Sequence, residues 1–103
     1  MNWQKIKDEC PKAWEAFRKW AEIPVEMFRE RDLFDFFDDR GIDCYVGLYP
    51  HRTNEHYLIL TYLIIIHGAN DSEEFGDQCG ESRKEVESAA FTRGFQILNQ
   101  QLS

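Results

Sequence analysis

At 103 residues the chain has the length of a single domain. Apolar residues make up 43% and aromatics 15%, enough for a dense core and too much for a disordered chain. A formal charge of −7 repels phosphates and anionic lipid, which argues against direct nucleic-acid binding and against a membrane-surface protein.

The chain opens with apolar side chains at steps of three and four: Trp3, Ile6, Cys10, Ala13, Trp14, Phe17, Trp20 and Ala21. This is the stripe of an amphipathic helix. Pro11 interrupts it, because proline has no N–H to donate and clashes inside a helix. The pattern predicts a short turn or two, then a helix with Pro11 in its first turn, where proline is tolerated. Pro24 is expected to mark the exit. The N-terminal residues lack a long apolar region and a small-residue cleavage site, so they are not expected to form a signal peptide.

A second helix is predicted over about 29–40, with Asp32 as its N-cap and Gly41 as the left-handed residue that ends it. Leu33, Phe34, Phe36 and Phe37 form its apolar face. Asp35, Asp38, Asp39 and Arg40 form its charged one.

The period then changes to two. Ile42, Cys44, Val46 and Leu48 alternate with Asp43, Tyr45, Gly47 and Tyr49, the signature of a strand with one apolar and one tyrosine-bearing face. A polar connection over 50–56 follows, too long for a two-residue turn. The next strand is predicted over 57–67 and is apolar on both faces. Such a strand is expected to be covered on both sides, by helices of the same chain or by another subunit. Its apolar run is about half the ~20 residues that a membrane helix needs. Residues 68–81 carry Gly68, Gly76 and Gly80 and several acids with no base, and read mostly as a loop, with room for a short strand near its start or around Phe75.

The last element is the clearest. Ser82 and Glu85 make a capping box. Phe91, Phe95, Leu98 and Leu102 then recur at helical spacing, widened by Ala90, Gly94 and Ile97.

Candidate chemistry is thin. Cys10, Cys44 and Cys79 are odd in number and far apart, which suits a reduced cytoplasmic protein and no disulfide framework. Cys44 falls on the apolar strand face, Cys79 among acids, and Cys10 just before a proline, so none reads as a thiolate nucleophile. His51, His56 and His67 match no standard zinc spacing. Asp71, Glu73, Gly76 and Asp77 imitate part of a calcium loop, but Phe75 and Ser82 occupy positions that need ligands. Asp35 and Asp39 share a helix face beside Arg31 and Arg40, which reads as a solvated, partly paired surface. There is no P-loop, dinucleotide fingerprint, GxSxG or HExxH motif.

Aromatic residues are the notable excess. Trp3, Trp14 and Trp20 follow the helical stripe and are expected mainly in the core. Tyr45 and Tyr49 do not, and aromatics are over-used at interface hot spots.

Three segments together carry a resemblance: Glu9-Cys10-Pro11-Lys12-Ala13-Trp14; then Arg31-Asp32-Leu33-Phe34-Asp35-Phe36-Phe37-Asp38; then Glu81-Ser82-Arg83-Lys84-Glu85 through Ala89-Ala90-Phe91 to Phe95-Gln96-Ile97-Leu98. In this order they resemble small proteins of bacterial phages, prophages and mobile elements. That resemblance implies a bacterial cytoplasm and an accessory role, and it brings no catalytic residues. Gly94 stands where a better helix former is expected, and it predicts a close approach of this helix to the sheet.

The expected fold is a single α+β domain over 1–103, a small antiparallel sheet of two or three strands packed by three helices in the order α-α-β-β-α. The residues imply no catalytic group, cofactor or metal. The expected function is non-enzymatic: binding of a protein partner, or self-association as a homodimer, through Tyr45 and Tyr49 with Glu73, Glu74 and Asp77 at the rim. An alternative is an acidic nucleic-acid mimic that inhibits a host enzyme, with Asp35, Asp38, Asp39, Glu73, Glu74 and Asp77 imitating phosphates. A third is a small metal-dependent protein that uses the histidines.

Overall fold

Pro11 does divide the first amphipathic stretch, and two helices result. The computed structural model describes residues 2–22, 27, 29–50, 56–68, 71–76 and 82–103. Its elements in chain order are α1 (Trp3–Glu9), α2 (Pro11–Ala21), α3 (Glu30–Asp39), β1 (Ile42–Pro50), β2 (Leu58–Ile66), β3 (Ser72–Phe75) and α4 (Arg83–Gln101). The α+β class stands as expected. The fourth helix comes from the break at Pro11, and the third strand is the short one foreseen around Phe75.

Local chemistry explains the helix ends. Asn2 Oδ1 accepts from the Lys5 N–H at 3.1 Å and caps α1. Pro11 takes the first position of α2, and Cys10 supplies no side-chain cap. α2 ends at Glu22, which is left-handed at φ 56°. Pro24, the expected exit, lies outside the described residues. α3 begins one turn differently from the sequence reading. Asp32 is not its N-cap; Arg29 holds that position. Asp32 sits three residues further on, and its carboxylate accepts from the Arg29 N–H at 3.0 Å. An acid at this position satisfies an orphan donor and suits the macrodipole, so the same residue serves the same helix end from inside it. Gly41 follows with φ 75°, the left-handed turn residue that the sequence required. Ser82 Oγ accepts from the Glu85 N–H at 3.3 Å and starts α4 where the capping box placed it.

The sheet is antiparallel, in the order β1-β2-β3. Ile42 pairs with Ile66, Val46 with Tyr62 and Pro50 with Leu58; Leu63 pairs with Phe75 and Ile66 with Ser72. Alternation then decides the two faces. Ile42 and Ile64 are fully buried under the helices, with Cys44, Tyr62 and Ile66 packed beside them. α3 packs on β1, and α4 packs on β1 and β2; α1 and α2 pack against α4. Every described helix thus serves one face of the sheet.

The core between helices is built from rings. Phe17 is fully buried and lies 5.0 Å from Phe36 and 5.8 Å from Phe95, centroid to centroid. Trp3 and Trp14 flank it, as the helical stripe predicted. Trp20 closes the cluster at the surface and donates from Nε1 to Asp39 Oδ2 at 2.8 Å. Leu102, read as part of the apolar stripe, falls at the end of α4 and is exposed.

Gly94 corrects a second expectation. The close approach it permits is to α3, not to the sheet: a Cβ there would lie 2.9 Å from Phe37 Cζ. The Phe37 ring crosses α4 at that point, and only a glycine leaves room for it.

Candidate functional site

Among the described residues no helix packs on the other face of the sheet. Odd-numbered positions of all three strands point to it: Tyr45 and Tyr49 from β1, Ile59, Leu63 and Ile65 from β2, and Glu73 and Phe75 from β3. Register sorts them into rows. Tyr45, Leu63 and Phe75 form one row across the sheet; Asp43, Ile65 and Glu73 form the next. Tyr45 is 48% exposed and Phe75 39%. An apolar centre edged by carboxylates is the usual anatomy of a protein-binding patch.

Part of this face is already organised. Tyr49 reaches over the sheet to Phe75, ring edge to ring face, with centroids 5.5 Å apart. Gly47 lies opposite Thr61, and a Cβ on it would stand 4.0 Å from the Tyr49 ring, an ordinary van der Waals contact. Thr61 is 2% exposed, and its hydroxyl donates to the Gly76 carbonyl at 3.1 Å. Gly76 is packed against it so closely that a Cβ would stand 2.6 Å from the Thr61 hydroxyl and from the Tyr62 ring.

The partner-binding residues read from the sequence divide between two faces. Tyr45, Tyr49 and Glu73 share the open one. Glu74 points the other way and pairs with Arg93 of α4, Oε1 to Nε 2.8 Å. Strand alternation separates neighbours that a loop would have kept together. Asp77, Cys79 and His51 lie outside the described residues. Sequence reasoning missed Ile59, Leu63, Ile65 and Phe75, although the two-faced apolar strand was the signal that could have placed the first three.

A second cluster sits where α3 meets the start of the sheet. His67 Nε2 lies 2.6 Å from Asp43 Oδ2. The Asp43 carboxylate holds the imidazolium and raises the His67 pKa. His67 and then Asp38, through their hydrogen bonds, lower that of Asp43. Asp38 is raised, first by its hydrogen bond with Asp43, then by the charge of Asp43, by desolvation, and by the charges of Asp39 and Asp35. Beside this network is a cleft of about 230 Å³ lined by Phe34, Asp35, Asp38, Asp43, Cys44 and Tyr45. Burial pushes the Cys44 thiol up to about 12, which disfavours its thiolate. The Asp43–His67 contact links β1 to the residue that follows β2, and the Asp38 carboxyl of α3 is hydrogen-bonded to Asp43 beside it. Burial likewise raises the Cys10 thiol.

Two acids of the phosphate-mimic reading have partners inside the fold: Glu74 is paired with Arg93, and Asp39 accepts from Trp20. Among the described residues no group of three or more His, Cys, Asp or Glu side chains could hold a metal ion. No described helix is long and apolar enough to cross a membrane. No family model, curated protein or solved structure matches the chain.

Proposed function

We propose that this is a non-enzymatic accessory protein that binds a protein partner through the open face of its sheet. The observation that supports it is the one-sided packing. The described helices serve one face, while the opposite face carries the row Tyr45, Leu63 and Phe75, with both aromatic ends exposed and Leu63 half-buried between them. Monomeric proteins seldom leave such apolar surface without use. Aromatic anchors at the centre and Asp43 and Glu73 at one end favour a partner with an apolar patch and basic rim residues. The resemblance to proteins of phages and mobile elements makes the bacterial cytoplasm the place to look for it.

The test is capture from bacterial lysate on the immobilised chain at low and moderate salt, wild type beside Tyr45→Ala and Phe75→Ala. The expected result is a stoichiometric partner that survives moderate salt and is lost in both variants, each costing about 2 kcal/mol or more of binding. A partner captured equally by wild type and variants would overturn the reading. Binding that collapses with salt would shift it to the acidic residues.

A further inference from the structure

We propose that two copies of this chain join edge to edge along β1, antiparallel and with Gly47 opposite Gly47, into one six-stranded sheet. β1 is an outer strand, and among the described residues nothing pairs with its free edge. The bond from the His67 N–H to the Gly41 carbonyl fixes which groups that edge presents. Odd positions of β1 are turned toward β2, so Cys44, Val46 and Leu48 direct their N–H and C=O groups outward. Proteins usually protect such an edge with a lysine, a proline, a bulge or a very short strand, and here only Pro50, at the far end of β1, lacks an outward N–H, so the paired stretch runs from Tyr45 to Tyr49. This strand is nine residues long, its register is unbroken, and it carries no charge from Cys44 to Pro50. Two chains of formal charge −7 would thus meet on a neutral segment.

The side chains make a second copy a better occupant than an arbitrary peptide. With Gly47 on the two-fold axis, Val46 falls opposite Leu48 of the other copy, and the two exchange both backbone hydrogen bonds. Tyr45 falls opposite Tyr49 of the other copy on the open face, an aromatic cross-strand pair. The half of the β1–β2 hairpin furthest from the helices also needs cover. Leu48 and Leu58 point to the helix side of the sheet yet are 64% and 60% exposed. Antiparallel pairing carries that half alongside the start of the other β1, where the other copy's α3 stands over the same side. Leu48, Leu58, Tyr45 and Tyr57 each leave on the order of 100 Å² in water. The four sum to about 400 Å², half of the about 800 Å² per partner of a standard interface, and Val46 and the paired strand backbone add to it.

Pairing at the edge leaves Leu63, Ile65 and Phe75 uncovered and sets Tyr45 at the seam, so this inference goes beyond the partner-binding reading, and Phe75→Ala is the variant that separates the two. The first measurement is sedimentation equilibrium of the full chain well above micromolar concentration. The expected mass is twice 12.3 kDa; a monomer would overturn the proposal. Leu48→Lys places a charge on the edge at a position already exposed, and should give a folded monomer by circular dichroism. A folded Leu48→Lys dimer would overturn it. Gly47→Cys tests the register independently. Residues opposite each other across the axis stand about 4.5 Å apart at Cα, within disulfide range. Mild oxidation should therefore cross-link Gly47→Cys dimers and leave wild type uncross-linked, and failure to cross-link would overturn the Gly47 register. Loss of the dimer in Leu48→Lys with partner capture intact, or loss of capture in Phe75→Ala with the dimer intact, separates the two interfaces.

Discussion

Tyr49 and Phe75 belong to the two outer strands of the sheet, and their rings meet edge to face across the strand between them, 5.5 Å from centroid to centroid. The contact lies over the row that holds Gly47 and the buried Thr61. The open face is therefore a pre-arranged surface, with Tyr45 as its free aromatic and Tyr49 as its fixed one.

That arrangement predicts a measurable coupling. In a double-mutant cycle with Tyr49→Leu and Phe75→Leu, urea unfolding should give an interaction energy of about 0.5–1.5 kcal/mol. Additive losses would mean that the rings do not hold each other.

Asn99 is expected to matter more than its place near the end of α4 suggests. Its Oδ1 accepts from the backbone N–H groups of Lys12 at 3.0 Å and Ala13 at 3.3 Å, so it caps α2 from a different helix. Cys10, at the N-cap position, gives no side-chain bond of its own. Asn99→Ala should cost about 1 kcal/mol in chemical denaturation, the usual value of a lost cap. Asn99→Asp should retain most of that stability, since a carboxylate accepts the same two bonds.

Gly94→Ala separates helix propensity from packing. Alanine favours a helix over glycine by about 1 kcal/mol. Its Cβ, however, would stand 2.9 Å from the ring of Phe37, which is fully buried and packed on Phe36, Phe91 and Phe95. Overpacking of about 1–3 kcal/mol should outweigh the propensity gain, giving a net loss in urea midpoint. Gly94→Ala combined with Phe37→Leu should recover part of it.

The Asp43–His67 tie should give stability a defined pH window. His67 is raised above 6.5, so its contribution is full below that value and fades as pH rises through the folded pKa. Asp43 is lowered below 3.8, so its contribution is present above that value and fades as pH falls through the folded pKa. Asp38, raised above 3.8, adds stability while protonated and loses it as pH rises. The difference in Tm between wild type and His67→Gln should therefore be largest between about pH 4 and 6.5 and shrink toward alkaline pH. A difference independent of pH across that range would show that the pair carries no charge-linked stability.

Much of the fold is local, and the sequence determined it without help. Pro11 had to split the first helix because its ring and missing N–H forbid an interior position. Gly41 had to end α3 because few other residues take a positive φ. Ser82 began α4, and the change of period at Ile42 announced a strand whose faces alternate. These effects act over four residues or fewer, so the letters alone carry them. The tertiary structure decided what depends on residues far apart in the chain. It set Asn99 on the end of α2, Phe37 against Gly94, and Glu74 on Arg93 instead of beside Glu73. Above all it chose the face of an evenly apolar β2 that the helices cover. Ile64 and Ile65 are equally apolar, so composition could not distinguish them; the pairing of β1 and the packing of α3 and α4 on Ile42 and Ile64 broke the tie, and with it placed Tyr45 and Phe75 on the exposed side, with Leu63 between them.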